Sequence, residues 1–113
     1  MNKYGAKKIK DPASGYTFDS KKEFIRWCEL RILERAGKIS NLQRQVKYVL
    51  IPSQKDPKGK VLEREVSYVA DFVYIDNALG QVVVEDVKGY KTEVYRLKKK
   101  LLLWTMGIRL KET

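Results

Sequence analysis

Hydrophobic spacing predicts a first helix over residues 20–36. Ser20-Lys21-Lys22-Glu23 matches a capping box, Phe18 can pack back onto the first turn, and Gly37 suits the position after the last turn. The apolar residues cover much of the helix circumference, so we expect a well-buried helix. These residues are Phe24, Ile25, Trp27, Cys28, Leu30, Ile32 and Leu33. The single cysteine, Cys28, is therefore expected in the core.

Alternating and continuous apolar runs predict three strands after this helix. The first covers residues 43–51, where Val46, Tyr48 and Leu50 recur at every second position. A polar loop follows at 52–60, with the turn residues Pro, Asp and Gly. The second strand covers about 63–75, and a turn at 76–80 leads into the third, at 81–87.

A second helix is predicted from a Thr92 cap to about Met106, where Gly107 ends it. Val94, Leu97, Leu101 and Trp104 form its expected core stripe, and residues 108–110 form a last short strand. The run 101–104 is more apolar than one stripe requires, which fits either a dimer interface or a fully buried helix. The order helix, three strands, helix, strand predicts an α/β fold around a mixed sheet, over residues 20–113, preceded by a basic arm at 1–19.

Composition narrows the functional class. The 113 residues include 24 Lys and Arg against 14 Asp and Glu, which gives a net charge of +10. This charge favours nucleic acid as the partner; the alternative is a generally soluble or a ribosome-associated basic protein. No apolar run approaches the roughly 20 residues of a membrane span, and no signal peptide is evident. One cysteine and no histidine exclude zinc fingers, intrachain disulfides and histidine chemistry, and an intracellular setting is the default.

Two predicted strands each carry an acid among apolar residues. Asp71 lies between apolar neighbours on both faces, so solvent exposure does not account for it. Asp86 and Lys88 share one face of the next strand, about 6.6 Å apart along it, and adjacent strands lie about 4.8 Å apart. Two acids and a lysine in one cluster are the groups that a magnesium-dependent phosphodiester hydrolase needs. Glu85 points to the opposite face.

Each of these residues also has a structural interpretation. Asp71 can pair with a core arginine or lysine, and Asp86 with Lys88 in an ion pair at a strand end. Glu23 is either a third acid of the cluster or only part of the capping box, and Gln45 is a weaker candidate for the same pocket.

Basic residues follow the cluster. Lys91, next to it, is expected to contact substrate phosphate, whereas Lys98 and Lys99 either bind DNA or form a solvated helix face. Lys7 and Lys8 of the basic arm are further candidates for DNA contacts.

Four segments resemble the PD-(D/E)XK nuclease superfamily, and more closely a family of small phage and prophage proteins similar to Holliday-junction resolvases and TnsA-type transposon endonucleases. They lie at residues 2–8, 18–23, 68–72 and 84–89. The resemblance implies Glu23, Asp71, Asp86 and Lys88 as the catalytic set. It also implies a Mg²⁺ cofactor, for which Mn²⁺ substitutes, held by the three acids. Ala70 stands where the superfamily name has proline.

The expected function is a metal-dependent endodeoxyribonuclease that acts on branched DNA in phage recombination or replication. A junction resolvase would be a homodimer, in the cytoplasm of the bacterial host. The alternatives are a nicking or restriction-like enzyme for duplex DNA and a non-catalytic DNA-binding module with the same fold.

Overall fold

A computed structural model describes residues 7–87 and 91–113 of the chain. Within these ranges it contains two helices and eight strands. The helices are α1 (Lys21–Arg35) and α2 (Glu93–Met106). The strands are β1 (Ile9–Lys10), β2 (Thr17–Phe18), β3 (Ile39–Ile51), β4 (Gln54–Lys55), β5 (Val61–Glu63), β6 (Val66–Asp76), β7 (Gln81–Asp86) and β8 (Lys111–Glu112).

The central sheet is mixed and has four strands in the order β3-β6-β7-β8. β6 runs antiparallel to β3 and β7, and β8 runs parallel to β7 after the α2 crossover. This confirms the predicted α/β fold and the order α1, β3, β6, β7, α2, β8. Two small hairpins, β1-β2 and β4-β5, lie outside the central sheet.

Both helices begin and end at the predicted signals. The Ser20 hydroxyl accepts a hydrogen bond from the Glu23 amide at 3.1 Å, and the Thr92 hydroxyl accepts one from the Tyr95 amide at 3.0 Å. Gly37 and Gly107 follow the two helices with φ of 74° and 67°, a conformation that glycine adopts without strain. Phe18 packs on Phe24, with ring centroids 5.5 Å apart.

The predicted faces of both helices are wrong in part. On α2 the buried residues are Tyr95 and Leu102, while Trp104 of the expected core stripe is 84% exposed. Val94 and Leu97 are also exposed, and Leu101 is half-buried. Each helix carries two apolar stripes, and the sheet covers only one of them. On α1 the uncovered stripe includes Ile25, Ile32 and Cys28, so the cysteine is an exposed residue.

Strand limits also differ from the sequence pattern. β3 begins four residues earlier than predicted, because a register shift beside Asn41, which has φ of 53°, lets a polar segment continue the pairing with β6. The predicted strand at 108–110 forms instead at 111–112, and the expected loop at 52–60 includes one strand of the β4-β5 hairpin.

The hydrophobic core has two parts, one under each helix. The α1-side core contains Phe18, Trp27, Leu30, Ile39, Phe72 and Tyr74, and the α2-side core contains Leu50, Tyr68, Ala70, Val73, Val84, Tyr95, Leu102 and Leu110. Residues two apart normally share a face of a strand, yet Ala70 belongs to one core and Phe72 to the other. The strand therefore changes, at Asp71, which of its faces packs against which core. Gln45, the neighbour of Asp71 on β3, has a left-handed backbone with φ of 55°.

A buried ion pair joins α1 to the central sheet. Glu85 of β7 is 0% exposed, and Arg26 of α1 donates two hydrogen bonds to its carboxylate, at 2.6 and 2.9 Å. Tyr74 and Thr113 donate two more, at 2.6 and 3.2 Å. Although burial opposes ionisation, Arg26 and these donors hold the pKa of Glu85 below its usual value.

Among residues 7–87 and 91–113, neither helix has the length and hydrophobicity needed to cross a bilayer.

Replacing Arg26 tests this ion pair. We expect Arg26→Gln to lower the free energy of unfolding by about 3–5 kcal/mol at neutral pH, because it leaves the Glu85 charge buried without its partner. Glu29→Gln removes only the exposed partner of the same arginine, 3.2 Å away, and should cost less than about 1 kcal/mol. Urea unfolding measures both.

Lowering the pH should reduce the difference in the free energy of unfolding between wild type and Arg26→Gln. The folded-state pKa of Glu85 is lowered, so its stabilisation is present above the unfolded pKa and lost as pH falls through the folded one. Equal effects of the two substitutions would show that the pair contributes nothing beyond a surface contact.

Candidate active site

Asp71 and Asp86 meet at the centre of the sheet. Phe72 pairs with Glu85 across β6 and β7, and continuing that register places Asp71 opposite Asp86. The two carboxyl groups lie close together, and the contact with Asp86 contributes to a raised pKa of Asp71. Asp86 is 1% exposed and Asp71 is half-buried. The structure therefore brings together the two strand acids that the sequence singled out.

Neighbouring donors orient both carboxyl groups. The Tyr68 hydroxyl donates to Asp86 Oδ2 at 2.6 Å, and the Val87 amide donates to Asp71 Oδ2 at 2.8 Å. Burial and the contact with Asp86 raise the pKa of the Tyr68 hydroxyl, so it stays protonated and remains a donor.

Burial and like charge favour the protonated form of Asp71. Burial, the hydrogen bond and negative charge of Asp86, and the charge of Glu23 together raise the pKa of Asp71 to about 8. Two adjacent carboxylates repel each other, so a compensating positive charge favours their ionised forms.

Glu23 lies at the edge of this cluster. It is 3% exposed, and its carboxylate oxygen is 3.5 Å from Gln45 Nε2 and 3.9 Å from the Arg44 guanidinium. Burial raises the pKa of Glu23, and the charges of Asp19 and Asp86 contribute. Its backbone amide also takes part in the helix cap, so its side chain and its main chain have separate roles.

Gln45 lies next to Asp71 in the register between β3 and β6. Its neighbours Arg44 and Val46 pair with Phe72 and Ala70, and its own backbone is left-handed. A non-glycine residue in this conformation is strained by about 1–3 kcal/mol, and such residues concentrate at functional sites. The strain at Gln45 thus coincides with the acids.

The predicted catalytic lysine, Lys88, lies outside the described residues. Of the predicted DNA-binding residues, Lys91 and Lys99 contact Glu112 of β8, at 3.4 and 2.8 Å. Lys98 is half-buried on another side of α2, and Lys7 and Lys8 are exposed ahead of β1.

The two carboxyl groups of Asp71 and Asp86 fit an oxygen-preferring divalent cation that takes two protein ligands. Mg²⁺ commonly takes one or two carboxylates, with waters and substrate phosphate completing its shell. Asp71 and Asp86 supply two carboxyl groups whose mutual repulsion a cation would relieve. In the part of the chain that the structure describes, no three or more His, Cys, Asp or Glu side chains form a group able to hold a metal.

Sequence reasoning missed Tyr68, Arg26 and Glu112. Tyr68 orients Asp86, and Arg26 neutralises the neighbouring Glu85. Glu112 pairs with Asp86 in the β7–β8 register and accepts hydrogen bonds from Tyr95 and two lysines. These bonds lower the pKa of Glu112 to about 2. Tyr68 had a signal, a polar group in a buried strand, whereas nothing local marked Glu112.

Comparison with known proteins places the chain in a family. The profile of a family described as a protein of unknown function (DUF1064) matches residues 1–110. No curated protein and no solved structure matches the chain significantly.

The acid pair predicts an unusual dependence of stability on pH. The folded-state pKa of Asp71 is raised, so its contribution is fully present below the unfolded pKa and is lost as pH rises through about 8. Asp71→Asn should therefore stabilise the protein at pH 8, by on the order of 1–3 kcal/mol, and change little near pH 4. Thermal unfolding across this range measures the effect.

A matched control is Glu63→Gln, which changes an exposed carboxylate on β5. It should leave the pH dependence as in wild type. Millimolar Mg²⁺ should raise the Tm of wild type at pH 8 and not that of Asp71→Asn. A stability curve for Asp71→Asn parallel to wild type would contradict the raised pKa of Asp71.

Proposed function

The chain belongs to the DUF1064 family, and we propose that it is a metal-dependent endonuclease that hydrolyses phosphodiester bonds in DNA. The observation that carries this proposal is the buried contact between Asp71 and Asp86 in a protein with a net charge of +10. A protein that only binds phosphate gains nothing from two acids at its binding surface, whereas a metal-dependent hydrolase requires them.

In the proposed reaction water attacks the phosphorus, one P–O ester bond breaks, and the products are a phosphomonoester and a hydroxyl group. Asp71 and Asp86 would hold Mg²⁺ or Mn²⁺, which lowers the pKa of water and neutralises charge on the phosphoryl oxygens. Tyr68 and the Val87 amide orient the two carboxyl groups, so little reorganisation would be needed when a cation binds.

Lys88 and Glu23 complete the proposed catalytic set. Lys88 follows the acid pair by two residues, and an ammonium group there would position the attacking water and stabilise negative charge in the transition state. Glu23 is buried beside the pair and affects its ionisation, which supports a role as a further acid of the site.

Branched DNA is the proposed substrate, on the resemblance to junction resolvases and the small size of the chain. A domain of 113 residues has little surface for reading a long sequence, so recognition of DNA shape is the expected mode. The proposed setting is the cytoplasm of a bacterial host that carries a phage or prophage. Nicking or restriction-like cutting of duplex DNA is the alternative within the same chemistry.

One observation favours a second candidate function, a DNA-binding module without catalysis. No group of three potential metal ligands is found among residues 7–87 and 91–113. If the acids have only a structural role, the protein would bind DNA and leave it intact.

A cleavage assay tests the enzyme. Labelled four-way junction, flap, duplex and single-stranded DNA are incubated with Mg²⁺, Mn²⁺ or EDTA. We expect metal-dependent cutting of the branched substrates, reduced at least about 100-fold in Asp71→Asn and in Lys88→Ala, because each removes a group required in the transition state. Glu63→Gln should cut as wild type does.

The products separate the candidates. Paired nicks across the junction support a resolvase, whereas cutting of linear duplex supports the restriction-like alternative. Binding without cleavage by wild type and both variants would refute the enzyme and favour the DNA-binding module.

We also propose a homodimer that forms through the exposed stripe of α2. This stripe consists of the exposed Val94, Leu97 and Trp104 and the half-buried Leu101, and its spacing is symmetric about position 99. In an antiparallel pairing of two α2 helices, the bulky Trp104 of each copy lies beside the smaller Val94 of the other, and Leu97 lies beside Leu101. Such two-fold pairing uses the same patch on both copies.

Sedimentation velocity tests the dimer. Wild type should sediment as a dimer and Trp104→Glu as a monomer, because the substitution places a charge in the apolar contact on both copies. Leu62→Glu changes a comparably exposed leucine on β5 and should remain dimeric. Moderate salt should strengthen the dimer, since Lys98 and Lys100 flank the stripe. A monomeric wild type at working concentration would refute it.

A further inference from the structure

A groove runs between α2 and the C-terminal segment that contains β8. Its volume is about 590 Å³. Five cationic side chains line it, together with one carboxylate, Glu112. The cationic residues are Lys91, Arg96, Lys99, Lys100 and Arg109. Such a concentration of positive charge in a concave surface raises the local concentration of anions.

The cations of this groove are only partly neutralised within the protein. Glu112 accepts hydrogen bonds from Lys91 and Lys99. Arg96 and Arg109 are both exposed, and their fork-shaped guanidinium groups suit bidentate contacts with phosphate oxygens. The groove therefore retains a large positive charge that can be used for binding.

The groove lies beside the acid pair. Glu112 at its end is the register partner of Asp86, and Tyr95 of its wall is influenced electrostatically by both Asp86 and Asp71. A strand with one phosphate at the acids can therefore continue into the groove. The charges have the signs that this path requires. The two acids lie where a metal cation would bind, and the cationic side chains line the groove that leads away from them.

Size and lining favour one strand over a duplex. Pockets for small molecules typically measure about 300–1,000 Å³, so the groove has room for a short stretch of sugar and phosphate, whereas a double helix would have to remain outside. Leu103 and Ile108 add apolar surface next to the cations, as found where sugars and bases contact binding grooves for single strands.

We infer that this groove binds the phosphate backbone of one DNA strand next to the acid pair, with Arg96 and Arg109 as its main phosphate contacts. The inference rests on the proposed function for its choice of DNA. It adds to that function a binding path that selects an unpaired or splayed strand, the feature that distinguishes a branch from a uniform duplex.

Fluorescence anisotropy in EDTA tests the groove separately from catalysis. The probe is a short fluorescein-labelled single strand, and the matching duplex is a second probe. Arg96→Gln/Arg109→Gln should raise the Kd for the single strand about tenfold and lower its salt slope by about 0.7 per lost phosphate contact. The loss for the duplex should be smaller.

Two further variants control for charge and folding. Lys58→Gln/Lys60→Gln removes the same charge from the β4-β5 hairpin and should change the Kd less than about threefold. Arg96→Lys/Arg109→Lys keeps the charge but loses the bidentate geometry, so it should recover only part of the affinity. Equal losses in the two glutamine variants, or no loss in the groove variant, would overturn the inference.

The outcome is distinguishable from failure of the nuclease. If the groove variant loses single-strand binding while wild type cuts nothing, the groove stands without the enzyme. If wild type cuts branched DNA and the groove variant binds and cuts equally well, the enzyme stands and the groove inference is wrong.

Discussion

The buried pair of Glu85 and Arg26 is the interaction on which the arrangement of the sheet depends. A carboxylate with 0% exposure in a central strand is tolerable only with a charged partner, and Arg26 supplies one from α1. This contact sets the position of the helix against β7. Since adjacent residues of a strand point to opposite faces, it also directs Asp86 away from α1 and toward Asp71. One acid is thus neutralised by an arginine, whereas the next lies beside a second carboxyl group.

The acid pair occupies the place where the sheet exchanges one covering helix for the other. Asp71 and Gln45 lie between the residues of the α1-side core and those of the α2-side core. Asp71 is only half-buried there. Such a junction leaves a partly buried polar site between two well-packed regions. Burial and the neighbouring acids raise the pKa of Asp71 to about 8, while its side chain remains half-buried.

Helix α2 presents three surfaces with different composition. Tyr95 and Leu102 face the sheet, Lys99 and Arg96 line the groove beside β8, and the stripe that includes Leu97 and Trp104 faces outward. Because these surfaces lie on separate sides of the helix, the proposed contacts with DNA and with a second copy leave the core residues Tyr95 and Leu102 in place.

The sequence by itself determined the helix limits, the order of elements and the neighbourhood of Asp71 and Asp86, because caps, turns and strand periodicity are local and act over a few residues. It did not determine which apolar stripe of each helix is buried. Val94 and Trp104 have the spacing of a core stripe, yet both are exposed. The sheet covers only one side of α2, and Tyr95 and Leu102 lie on that side. The partners of the acids were likewise beyond reach, since Arg26 and Glu85 are separated by 59 positions and Tyr68 and Asp86 by 18. Long-range contacts such as these follow from the packing of whole elements, which no local pattern encodes.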